Sequence, residues 1–181
     1  MPTYDLLSDG TVVGGSTTVI SFTSISQSYT DLALFGTLKD DGTSASGQSG
    51  LELAFKDSGG NLLSLGGGLM GMSYGSTTPY SYQYGTRTNI PAYFPNNATS
   101  YTGVGPQYAY IYDYSSTTVA KNVMWLNGIT GQDAQNNNNT YQNWRVCVND
   151  SDDDPISQID ITSPYNNFLP GATMSLYGIT A

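Results

Sequence analysis

The chain has 181 residues, of which 38% are hydrophobic and only 10% charged, with no histidine and a formal net charge of −9. That length suits one ordinary domain or one larger β-sandwich, and the apolar share is enough for a core. Glu52 is the only glutamate, and Lys39, Lys56, Arg87, Lys121 and Arg145 are the only cations, too few for long exposed helices and too scattered to face a phosphate backbone, so nucleic acid is not an expected partner.

From the start, Met1-Pro2-Thr3-Tyr4-Asp5 shows neither a basic nor an apolar leader segment, and no stretch approaches the ~20 apolar residues of a membrane span, so synthesis in a cytoplasm is expected. Period two then dominates. Residues Thr17 to Phe22 alternate, and Asp31 to Leu38 put Leu32, Leu34, Gly36 and Leu38 on one face. Leu51 to Phe55 alternate as well, followed by a turn at Lys56-Asp57-Ser58-Gly59-Gly60-Asn61. Residues 62 to 107, rich in Gly, Ser, Thr, Tyr and Pro, predict long surface loops interrupted by short strands. Regular alternation returns at Tyr108 to Tyr114, where Tyr108, Tyr110, Tyr112 and Tyr114 are expected to share a face. It continues at Thr118 to Trp125, Tyr141 to Val148, Ile156 to Ile161 and Ala172 to Ile179. Cys147, alone in the chain and set among apolar strand residues, reads as a small buried hydrophobe. Roughly nine or ten strands separated by turn signals predict an all-β antiparallel sandwich, jelly-roll-like, with long Gly/Ser/Tyr-rich loops and a single domain over residues 1 to 181.

The absence of histidine removes the commonest general base, the usual nucleophile relays and most zinc sites. Paired carboxylates remain, such as Glu52 with Asp31 or Asp113, but glycoside hydrolysis needs such a pair about 5 to 9 Å apart, and exposed strand-end acids are the plainer reading. Asp150-Ser151-Asp152-Asp153-Asp154 has the hard oxygens of a Ca²⁺ loop but lacks its Gly and distant Glu, so a solvated turn before Pro155 accounts for it. Gly66-Gly67-Gly68 has no phosphate-loop Lys, and Asn136 to Asn139 read as a loop tip. Neither an enzyme nor a cofactor nor a metal is therefore expected.

Tyrosine is the binding chemistry in greatest supply, offering a large apolar face and a hydroxyl that tolerates water. Tyr74, Tyr80, Tyr82, Tyr84 and Tyr93 are the candidate subunit-contact residues, with Tyr80, Tyr82 and Tyr84 projecting to one side if they form a strand. Packing within the protein's own core or loops is the bland reading of the same residues, and a glycan platform is a third.

The segment from Ile20 to Leu32 reads Ile-Ser-Phe-Thr-Ser-Ile-Ser-Gln-Ser-Tyr-Thr-Asp-Leu. It resembles the opening of small virion proteins from tailed bacteriophages, particularly those of cyanobacteria and other marine bacteria. Ile159-Asp160-Ile161 and then Phe168-Leu169-Pro170-Gly171-Ala172-Thr173-Met174-Ser175-Leu176-Tyr177-Gly178-Ile179 resemble their ending. Ser26 stands where that pattern usually has Pro, and Ala172 where it has Ser or Thr. Physically, the first motif reads as a hairpin-like pair with Asp31 accepting turn hydrogen bonds, and the last as a closing strand entered through the Pro170-Gly171 turn. First and last strands are expected to be neighbours. The resemblance implies a structural virion component, with a capsid decoration or cement role as the leading expectation: binding the major capsid protein lattice, as a homo-oligomer, a trimer. A tail adaptor, fibre tip or glycan-binding receptor module is the alternative.

Overall fold

A computed structural model of the chain describes residues 2–10, 17–42, 48–73, 80–95, 105–128, 140–148 and 154–180. Among them lie twelve strands and no helix: β1 (Thr3–Asp9), β2 (Val19–Phe22), β3 (Asp31–Leu38), β4 (Gln48–Lys56), β5 (Leu65–Ser73), β6 (Tyr80–Arg87), β7 (Ile90–Pro95), β8 (Gly105–Tyr112), β9 (Asn122–Gly128), β10 (Thr140–Val148), β11 (Gln158–Thr162) and β12 (Thr173–Thr180). All pairings are antiparallel. They form an eight-stranded sheet, ordered β1-β12-β3-β8-β9-β10-β5-β6, and a four-stranded sheet, ordered β2-β11-β4-β7.

Alternation explains how the two sheets share a core. Leu32, Leu34 and Leu38 of β3, Ile111 of β8, Val123 and Trp125 of β9 and Met174 and Leu176 of β12 face Ile20 and Phe22, Leu51, Leu53 and Phe55, and Ile159 and Ile161 of the smaller sheet. Tyr114 and Phe168, from the connections, complete one cluster. The buried Trp125 indole donates to Gln107 Oε1 at 3.2 Å, so its polar atom enters the core with a partner.

The first strand read from the sequence, over residues 17–22, is not the neighbour of the last: β2 pairs with β11, and it is β1 that lies beside β12, with Thr3 opposite Thr180 and Leu6 opposite Tyr177. Other details differ from the sequence reading. β1 went unassigned because a bulge between Leu6 and Ser8 breaks its alternation. The expected hairpin of residues 20–22 with 32–38 does not form, since β2 pairs with β11 while β3 lies between β12 and β8 in the other sheet. Ser24, at φ 55°, and the bond from Ile25 N to Ser157 O at 3.0 Å carry the chain across. Tyr114 leaves the face of its three neighbours: Asp113, at φ 52°, turns the strand over, and the fully buried Tyr114 donates its hydroxyl to Ser26 O. Residues 62–107 contain strands of nine, eight and six residues, whose signal Gly66-Gly67-Gly68 and Gly71 dilute. Pro170-Gly171 does reverse the chain before β12, with Gly171 at φ +86°, where a side chain would be strained.

Candidate adhesive face on the eight-stranded sheet

The alternation that sends leucines inward sends aromatic rings outward from the same strands. Directly opposed residues in an antiparallel sheet share a face. Register therefore aligns Ser175, Phe35, Tyr108 and Leu126 in one row across β12, β3, β8 and β9. A second row aligns Leu6, Tyr177, Ala33, Tyr110 and Met124 from β1 to β9, and beside it Tyr4 and Ile179 line up with Asp31. Ala33 and Ile179, although on this outer side, are 0% and 2% exposed, so the rings form a further layer over the sheet. The layer is bare above: Tyr4, Leu6, Phe35, Tyr112 and Leu126 are all exposed.

The rings hold one another in place. Phe35 lies 4.8 Å from Tyr108 and 5.7 Å from Tyr177, the latter edge-on at 82°, and Tyr110 lies 4.4 Å from Tyr112, all within the range where aromatic pairs attract. Asp31 anchors the group. Its Oδ2 accepts the Tyr110 hydroxyl at 2.9 Å and its Oδ1 accepts Asp113 N at 2.9 Å. Burial first, then the hydrogen bond and charge of Asp31, then Tyr4 and Tyr112, push the Tyr110 phenol far above its ordinary range. Burial and the same two tyrosines raise Tyr108 as well. These phenols stay neutral donors through the physiological range. Such a surface can pack against another molecule without stranding a charge.

The outer side of the four-stranded sheet has the opposite chemistry. Asp160 accepts Ser21 Oγ at 2.6 Å and Gln158 Nε2 at 2.9 Å and pairs with Lys56 Nζ at 2.7 Å. Burial alone would raise its pKa, but the bonds from Lys56, Ser21 and Gln158 together with the Lys56 charge hold it below the usual carboxylate value. Glu52 sits on this side and Asp31 on the far side of the sandwich, so those two acids do not converge. Asp31 and Asp113 are adjacent, but it is the Asp113 backbone that meets Asp31. Among the described residues no cluster of three or more His, Cys, Asp or Glu could hold a metal ion. Of the acidic loop, Asp150 to Asp153 lie outside the described residues, as do Asn136 to Asn139.

Tyr74 also lies outside the described residues. Tyr80, Tyr82 and Tyr84 do form a strand, β6, at the border of the eight-stranded sheet, opposite Gly71, Leu69 and Gly67. Tyr93 is on β7, the border strand of the other sheet, opposite Gly50. The side chains of these four, like that of Cys147, are outside the described residues. The shared face of Tyr108, Tyr110 and Tyr112 was read from alternation, whereas Tyr4, Leu6, Phe35 and Tyr177 were missed. One signal was present: in Asp31 to Leu38 both sets of alternate positions are apolar, with Ala33 and Phe35 opposing the leucine row, as for a strand covered on two sides. The two end motifs meet in this sheet, with Asp31 opposite Ile179 and Leu32 opposite Gly178 in register. No protein-family model matches the chain, and no curated protein or solved structure matches it either.

Proposed function

We propose that this chain is a non-enzymatic structural component of a tailed bacteriophage particle: a jelly-roll-like decoration or cement protein, assembled in the host cytoplasm, that binds the major capsid protein lattice and stabilises it. The observation that carries the reading is the outer face of the eight-stranded sheet, aromatic across its described side chains, a rigid surface suited to adhesion. The resemblance of residues 20–32 and 168–179 to phage virion proteins supplies the context, and both segments contribute to that face. An acidic chain, with a sequence pI near 4.1, also suits a protein displayed in many copies, because net charge keeps it soluble before assembly.

The test mixes purified protein with expanded empty heads and follows their melting. Binding that raises the melting temperature supports the cement role, and heads that neither bind the protein nor gain stability remove its basis. Cryo-electron microscopy of the virion decides position: density at the lattice axes supports decoration, while density confined to the tail replaces it with a tail adaptor or fibre-tip role.

A further inference from the structure

We propose that β1 is a strap: it opens from β12 and closes on it as one unit, over a sandwich that otherwise stays folded, and adhesion requires it closed. This rests on the adhesive reading of the ring face and adds how that face is regulated. Among the described side chains of β1 only Leu7 is not exposed, and it is no more than partly buried against the core. β3, by contrast, buries Leu32, Ala33, Leu34 and Leu38. Among the described strands β1 is paired on one side only, and the bulge between Leu6 and Ser8 splits its ladder with β12. Asp5 hydrogen-bonds the Tyr29 phenol, but at an exposed position where water competes. Few buried apolar contacts and a one-sided ladder let an element open locally at far less cost than the whole fold.

The opening has a fixed end. Gly10 N donates to Met174 O at 2.7 Å, and a Cβ on Gly10 would come within 2.7 Å of Ile20 Cγ2 and 3.3 Å of Phe22 Cζ. The backbone at Gly10 is thus packed directly on core side chains of the smaller sheet, and it holds while the strand before it leaves.

What the strap carries gives it a role. Leu6 at 59% and Tyr4 at 55% exposure are the most open of the large apolar side chains on the ring face, ahead of Phe35 and Tyr112 at 42%. Leu6 ends the row that holds Tyr177, Ala33 and Tyr110, and Tyr4 stands opposite the buried Ile179. Closed, β1 completes the face. Open, it takes both side chains away and bares Ile179. A partner that packs on the complete face meets Tyr4 and Leu6 only in the closed form, so binding and closure reinforce each other.

Hydrogen exchange of the full-length protein, resolved by residue with NMR, reads the opening. The β1 amides that bond β12 should share one level of protection and exchange about a hundredfold faster than those of β3 and β8, while Gly10 stays protected. Leu7→Ala should speed β1 about tenfold and leave β8 unchanged. Protection in β1 equal to that of β3 overturns the strap, as does a rate that climbs steadily from Asp9 to Thr3, the pattern of a fraying end. Bound to expanded empty heads, β1 should exchange about tenfold more slowly than in the unbound protein, read by mass spectrometry of the peptide that covers it. Heads that bind the protein while β1 exchanges unchanged overturn the coupling. Thr3→Cys with Thr180→Cys, opposite each other in register, holds the strap shut when oxidised. The oxidised form should bind heads at least as tightly as the reduced one, and weaker binding overturns the need for closure. The two readings fail separately: heads that never bind the protein remove the lattice role, and exchange in the unbound protein still decides the strap.

Discussion

Gly178 lies in β12 beneath the ring of Tyr29, and a Cβ placed there would come within 2.5 Å of Tyr29 Cγ. Gly178→Ala is therefore expected to displace the ring and cost about 1–3 kcal/mol, read as a lower urea midpoint with an unchanged slope. The two phenylalanines Phe55 and Phe35 make a sharper comparison. Phe55 is fully buried between the sheets, so Phe55→Ala should cost about 3–5 kcal/mol. Phe35→Ala, on the bare face, should cost the fold far less than Phe55→Ala while weakening adhesion to empty heads. At high pH Tyr110 adds its own signature. Its folded pKa is raised above 10.0, so the stabilisation it gives is complete below pH 10 and is lost as pH climbs toward the folded value. Tyr110→Phe should flatten the alkaline limb of stability above pH 10, and an unchanged limb would mean that the phenol ionises as freely in the fold as out of it.

At the level of strands and their pairing, the polar side of the four-stranded sheet governs acid behaviour. Asp160 on β11 has its folded pKa below 3.8, so its contribution is complete above that value and disappears as pH falls through the folded one. Asp160→Asn removes the proton uptake, and the acid limb of a urea-midpoint profile should become shallower; a wild-type limb in the variant would show that the Lys56 pair is silent. Strands whose side chains alternate, such as β8 and β12 as far as Gly178, were legible in the sequence because burial on one side leaves a period-two record, and β3 was legible from its leucine row. Where the backbone departs from regular geometry the record fails: the bulge after Leu6 hides β1, and the turn at Asp113 sends Tyr114 inward. The face was only partly legible for a different reason. Tyr4, Phe35, Tyr108 and Tyr177 are brought together by the pairing of β1, β12, β3 and β8, and no local pattern encodes which strands become neighbours. Asp31 shows the same limit: it accepts turn hydrogen bonds as expected, but from the turn that follows β8.

For the whole molecule, unlike outer surfaces on the two sheets give the sandwich a definite up and down. If the ring face carries adhesion to empty heads, binding should survive rising ionic strength, since screening leaves an apolar contact intact. Co-sedimentation with heads should retain the protein from low to high salt, and loss of bound protein with salt would point to ion pairs holding it instead. The adjacency of β1 and β12 has a mechanical consequence. Because Thr3 and Thr180 face each other at the same end of the β1–β12 ladder, a pull on both ends loads the ladder bonds singly and in succession, as when a strip is peeled. A tether applied there opens the molecule at low force, while the same load delivered through the broad sides is shared by the whole sheet.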